Sequence, residues 1–127
     1  MKSKYKILIV DDDKFLLDMY SVKFEQSGFE VNASLGSTEA IAKLKDGFLP
    51  DVILTDVLMP AMSGFEFLSE IKKGGLAKDA KTIILSNMGE KTDLDRGEEL
   101  KVDGYIIKAS MVPSEVVNKV IEVIKEK

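Results

Sequence analysis

The sequence predicts an α/β domain: a five-stranded doubly wound parallel sheet with five helices. Two observations carry this. Five short apolar runs alternate with longer amphipathic stretches within 127 residues. Four of the five runs are β-branched and nearly continuous, the pattern of strands covered on both faces. At 45% hydrophobic residues there is apolar material for one core, and no linker, repeat or low-complexity segment divides the chain, so residues 1–127 are expected to be one domain.

The expected strands are residues 5–10, 30–34, 52–55, 82–85 and 104–107. The second is more polar and suits an edge. Asp13 is placed to cap a first helix that runs to about Ser27, where Gly28 stops it. Phe15, Leu16, Met19 and Val22, with Phe24, are expected to form its apolar face. Ser37 caps a second helix over 38–45 with Ile41 and Leu44 inward, and a third runs from about 64 to 73 and ends at Gly74-Gly75. A fourth, about 91–100, is weakly apolar. The last starts near Pro113 and buries Val116, Val117, Val120, Ile121 and Ile124, at helical spacing.

The chain has no Cys and no His. Disulfides, thiolate and imidazole metal sites, Ser-His-Asp triads and phosphohistidine on this chain are thereby excluded. With 18 basic and 22 acidic residues, the net charge of −4 argues against direct binding of nucleic acid. Met1-Lys2-Ser3-Lys4 has the charge of a leader, but the apolar run behind it, 7–10, ends in three aspartates and is too short for a signal peptide. Nothing approaches a membrane span. A cytoplasmic location is expected.

Ligands of doubly wound sheets bind beyond the carboxyl ends of the strands. The first strand ends in Asp11-Asp12-Asp13, the third in Thr55-Asp56, the fourth in Ser86-Asn87 and the fifth in Ile107-Lys108. Each residue alone has an ordinary structural explanation, and for Asp13 the helix cap is preferred. Together, Asp11, Asp12 and Asp56 would repel one another and raise one another's pKa unless a cation intervened. With neither His nor Cys present, that cation is a hard one, Mg²⁺ or Mn²⁺. A metal, an ammonium and a hydroxyl form a clamp for phosphoryl oxygens, and the acceptor would be a carboxylate.

The segments Ile7-Leu8-Ile9-Val10-Asp11-Asp12-Asp13, Asp51-Val52-Ile53-Leu54-Thr55-Asp56-Val57-Leu58-Met59-Pro60, Ile83-Ile84-Leu85-Ser86 and Gly104-Tyr105-Ile106-Ile107-Lys108 resemble a response-regulator receiver domain of two-component signalling. The resemblance, to a chemotaxis-regulator-like single domain, covers essentially the whole chain. It implies a flavodoxin-like sheet of strand order 2-1-3-4-5. It implies that Asp56 is the phosphoacceptor and that Mg²⁺ is held by Asp12 directly, by Asp11 through water, by Asp56 and by the carbonyl of Leu58. It implies that Ser86 is the switch hydroxyl, Lys108 the phosphoryl-pairing ammonium and Tyr105 the aromatic that rotates on activation. Phosphotransfer and dephosphorylation would be self-catalysed. The implied phosphodonor is a sensor histidine kinase or a histidine phosphotransfer protein. The implied output face is the fourth helix, fifth strand and fifth helix, acting on an effector protein or a fused output domain.

Three features depart from the family pattern or vary within it. Ala109 follows Lys108 where the family has a cis-proline; a non-proline cis bond costs roughly 2.5–4 kcal/mol, so a trans bond is expected. Lys101-Val102-Asp103 replaces the usual small residues before the fifth strand, which leaves the end of the fourth helix open. Leu58 and Met88, two residues after Asp56 and Ser86, are apolar; as more than rim residues they would hinder water's approach to an acyl phosphate and slow its loss. Met59, Met62, Met88 and Met111 fall on loops at the site end, where packing is the preferred role over an adaptable partner surface.

Three other readings compete with this one. A flavodoxin-like cofactor binder wants a hydroxyl- and glycine-rich phosphate loop where this chain has three aspartates. An aspartate-nucleophile phosphatase wants an Asp at the position of Leu58. A pseudo-receiver that only binds partners keeps support from Ala109 alone.

Overall fold

Strands rich in Ile, Leu and Val, each needing cover on both faces, form one all-parallel sheet in the computed structural model, which describes residues 4–86, 95, 96, 98–108 and 111–125. The elements are β1 (Lys6–Val10), α1 (Lys14–Gln26), β2 (Glu30–Ser34), α2 (Ser37–Lys45), β3 (Val52–Asp56), α3 (Gly64–Lys73), β4 (Lys81–Ser86), β5 (Gly104–Ile107) and α4 (Pro113–Lys125). The strand order is β2-β1-β3-β4-β5, as expected. Half of the fourth expected helix, 91–100, lies outside the described residues; Asp95, Arg96, Glu98 and Glu99 within it are helical. α4 is therefore the fifth helix of the sequence reading.

Alternation along the strands divides the core in two. Ile7, Ile9, Leu54, Ile83, Leu85 and Ile106 face α1 and α4, against Leu17, Tyr20 and Phe24 of the first and Val116, Val117, Val120 and Val123 of the second. Leu8, Val10, Ile53 and Ile84 face α2 and α3, against Ala40, Leu44, Phe65, Phe67, Leu68 and Ile71. Phe24 and Phe29 close the first layer edge to face at 5.0 Å.

The face of α1 differs from the expected one. Leu17, Tyr20 and Phe24 are buried, whereas Phe15 is 75% and Val22 52% exposed. Leu16 and Met19 pack only at the margin. α1 carries apolar residues on two stripes of the same period, and the sheet takes the one that presents the aromatic pair. Val123 is the α4 core residue missing from the expected set, while Ile121 and Ile124 are partly buried.

Asp13 caps α1 as expected, its side chain accepting from the Leu16 N–H at 3.2 Å. Ser37 does not cap α2. Gly36 occupies the cap with φ 128°, and the Ser37 hydroxyl instead donates to the Met62 carbonyl at 3.0 Å, tying α2 to the loop after β3. α3 has a full capping box between Ser63 and Glu66.

The opposite edge of the sheet is stitched by two aspartates. The Asp51 carboxylate accepts from the Lys6 N–H at 2.7 Å, and the Asp51 carbonyl accepts from Lys81 N–H at 2.9 Å, which aligns β1, β3 and β4. The Asp103 carboxylate accepts from the Thr82 N–H at 2.8 Å and sets β5 beside β4.

Candidate functional site

Because β1 and β3 are adjacent and in parallel register, the residues that follow Val10 and Thr55 come out side by side at the carboxyl edge of the sheet. There the ligand atoms of Asp11, Asp12 and Asp56 all lie within 4.8 Å of one another. Asp11 and Asp56 are buried and Asp12 is exposed. Lys108 reaches in from the end of β5, its ammonium 3.1 Å from Asp11 Oδ2 and 3.3 Å from Asp56 Oδ1, with its side chain 8% exposed.

Hydrogen bonds orient both buried carboxylates. Asp11 Oδ1 accepts from the Asp13 N–H at 3.0 Å, and Asp56 Oδ1 accepts from its neighbour Val57 N–H at 2.9 Å. Asp56 Oδ2 and the Asp12 carboxylate have no protein hydrogen-bond partner among the described residues. The loop behind Asp56 is held close: Gly64 N–H donates to the Val57 carbonyl at 2.9 Å, and a Cβ on Gly64 would stand 2.1 Å from the Asp56 carbonyl oxygen.

Burial pushes the Asp56 carboxyl up to about 6, the Asp11 charge adds to this, and Lys108 opposes it. For Lys108, burial works against the charge, but Asp56 and Asp11 outweigh it and hold the ammonium above its ordinary range. Among the described residues, three carboxylates share one ammonium. A divalent cation would balance that excess, and a set of oxygen donors with no nitrogen or sulfur suits Mg²⁺.

The other expected site residues lie as follows. Ser86 ends β4, is buried, and pairs in register with Ile107, the residue before Lys108. Tyr105 is half-buried on β5 and packs on the α2–α3 side of the sheet. Leu58 lies in the loop after β3 with its side chain 73% exposed. Met88 and the Lys108–Ala109 bond lie outside the described residues. Tyr20 was missed: on the buried face of α1, its hydroxyl is raised chiefly by burial and feels the charges of Lys108, Asp11 and Asp56. Only the phase of α1 could have placed it there.

Comparison with known proteins agrees with this geometry. A family model described as "Response regulator receiver domain" matches residues 7–121. The phosphate regulon transcriptional regulatory protein PhoB of Escherichia coli is 31% identical over 115 residues, covering 91% of this chain and 49% of that protein. A CpxR homolog of Haemophilus influenzae is 35% identical over 103 residues, 81% of this chain and 43% of that protein. The chain thus spans about half the length of these curated relatives. Among solved structures, the chemotaxis protein CheY4 of Vibrio cholerae superposes with a TM-score of 0.86 at 28% identity, covering 94% of this chain and 98% of that one. A CheY-like receiver domain protein of Methanospirillum hungatei gives 0.85 at 29% identity, over 96% and 94% of the two chains. Sheet order, acidic cluster, lysine and sequence similarity converge: the chain belongs to the response regulator receiver domain family of two-component systems.

Proposed function

We propose that this chain is a phosphorylation-dependent switch that takes a phosphoryl group from a partner's phosphohistidine onto Asp56. The observation that carries this reading is the position of Lys108, bonded to both Asp11 and Asp56 while Asp56 Oδ2 is left without a protein partner among the described residues.

In the step, Asp56 Oδ2 attacks phosphorus, an O–P bond forms, the P–N bond to the donor imidazole breaks, and the imidazole nitrogen leaves with the electron pair. The Val57 N–H and Lys108 hold Oδ1 and so fix which carboxylate oxygen attacks. Once Asp56 is an acyl phosphate, Lys108 exchanges its bond to Oδ1 for one to a phosphoryl oxygen. The Ser86 hydroxyl donates to another. Asp11, Asp12, Asp56 and the Leu58 carbonyl would hold Mg²⁺, which supplies charge neutralisation for the transferring group.

Ser86 and Tyr105 lie on neighbouring strands, so movement of Ser86 toward the phosphoryl group frees space that Tyr105 fills. That carries the change to the face made by the fourth expected helix, β5 and α4. Phe15 and Leu58, both largely exposed on the same end, suit docking of a histidine kinase or histidine phosphotransfer protein. The output is a separate effector or a fused domain.

Incubation with Mg²⁺ and acetyl phosphate tests the reading. Intact mass should rise by one phosphoryl group, and Asp56→Asn should abolish the gain. No gain in the wild type overturns it and leaves a partner-binding module that is never phosphorylated.

A further inference from the structure

At the opposite pole from the acidic cluster, the end of α3, the loop after it and the starts of β4 and β5 line an open cavity of about 460 Å³. Ile71, Leu76, Ala77 and Ala80 give it apolar walls, and Lys72, Lys78, Lys81 and Lys101 surround them. The lining also includes two acidic residues, Asp79 and Asp103, and the Asp103 carboxylate is already engaged by the Thr82 N–H. This is a basic cavity on a chain of net charge −4.

Lysines at helix ends have a general explanation, since the carboxyl end of a helix attracts cations. That accounts for Lys72, in the last turn of α3, whose ammonium donates to the Leu100 carbonyl. It does not account for the other three. Lys78 lies in the loop, Lys81 opens β4 and Lys101 precedes β5, and none makes an ion pair among the described residues. The Lys78 stem folds back so that its Cε would lie 3.6 Å from a Cβ on Gly75. The backbone is also unusual here. Ala77 and Lys101, on two sides of the cavity, both take left-handed φ, 50° and 57°. Such values are uncommon outside glycine and tend to mark functional segments.

We infer that this cavity binds a small organic polyanion: a phosphate-bearing group held by Lys78, Lys81 and Lys101, with an apolar or aromatic body against Leu76 and Ala77. Its volume is in the range of small-ligand sites. The cavity shares no residue with the acidic cluster, so its lysines take no part in phosphotransfer.

The test is an amide NMR titration of the full chain in metal-free buffer, with ATP as the probe and tripolyphosphate and adenosine as separate arms. ATP should shift the amides of Gly75, Thr82 and Asp103 saturably, and each half of the ligand alone should bind about tenfold weaker. Lys81→Glu with Lys101→Glu should weaken ATP about tenfold or more while phosphorylation by acetyl phosphate proceeds as in the wild type. Lys78→Ala with Lys101→Ala gives the same reading should the charge reversals fail to fold. No saturable shift at these amides, equal binding of tripolyphosphate and ATP, or undiminished binding by the folded variants each overturns the proposal.

Discussion

Asp56→Asn should stabilise the metal-free protein, and only where the carboxylate is charged. Burial and the neighbouring Asp11 move this carboxyl from an ordinary 3.8 to about 6. At about 1.36 kcal/mol per tenfold change in proton affinity, that corresponds to roughly 3 kcal/mol of folding free energy lost at neutral pH. The direction follows from linkage. The folded state binds this proton more tightly than the unfolded chain, so stability is fully present below the unfolded pKa and falls as pH rises through about 6. The value of about 6 already includes the attraction of Lys108, which asparagine also gives up. A gain of about 3 kcal/mol is therefore expected, or about 10–15 °C in Tm for a domain of this size. Thermal unfolding of both proteins in a chelating buffer, from pH 4 to pH 8, reads it directly. The gain should be full near pH 7.5 and shrink toward zero near pH 4. Equal stability at pH 7.5, or a gain undiminished at pH 4, would refute the electrostatic reasoning. Added Mg²⁺ should then stabilise the wild type more than the variant, because mass action favours the form with the fuller ligand set.

Gly64→Ala places a Cβ 2.1 Å from the Asp56 carbonyl oxygen, so backbone must move; a loss of about 3 kcal/mol or more in chemical denaturation is expected, with slower phosphorylation by acetyl phosphate. Gly104→Ala meets only the Val123 and Ile83 side chains, at 3.1 Å and beyond, and should cost about 1 kcal/mol by the same measurement. Leu58→Asn together with Met88→Glu should speed loss of the phosphoryl group from labelled protein about tenfold, by giving an attacking water polar partners; an unchanged half-life removes the role assigned to these positions. Phe15→Ala, at a site 75% exposed, should leave Tm within about 2 °C while slowing transfer from a phosphohistidine partner relative to acetyl phosphate.

The sheet was legible because buried parallel strands write themselves as continuous Ile-Leu-Val runs, and the acidic site because strand ends converge in any such sheet. The phase of α1 was not. Phe15-Leu16-Leu17 places apolar groups at three successive angles, and periodicity alone gives no preference between the stripe 15-19-22 and the stripe 17-20-24. The contact with Phe29, beyond the helix, settles it. Ser37 misled for a related reason. A serine before a helical run reads as a cap, but here glycine supplies the cap backbone and the hydroxyl serves a carbonyl twenty-five residues away. Lys108 could be named from its motif, yet its simultaneous bonds to Asp11 and Asp56 depend on Asp56 and Lys108 being on strands separated only by β4.

The bond from Lys108 to Asp11 joins residues 97 apart in the chain, and it crosses the sheet from its fifth strand to its first. No shorter stretch of sequence contains the cluster. A nascent chain that has displayed all three aspartates still lacks the ammonium that offsets them, and gains it only when β5 joins the sheet beside β4. Completing the cluster therefore requires the longest loop closure in the site. On the proposed function, a chain that ends before β5 would carry the three aspartates without the ammonium that pairs with them.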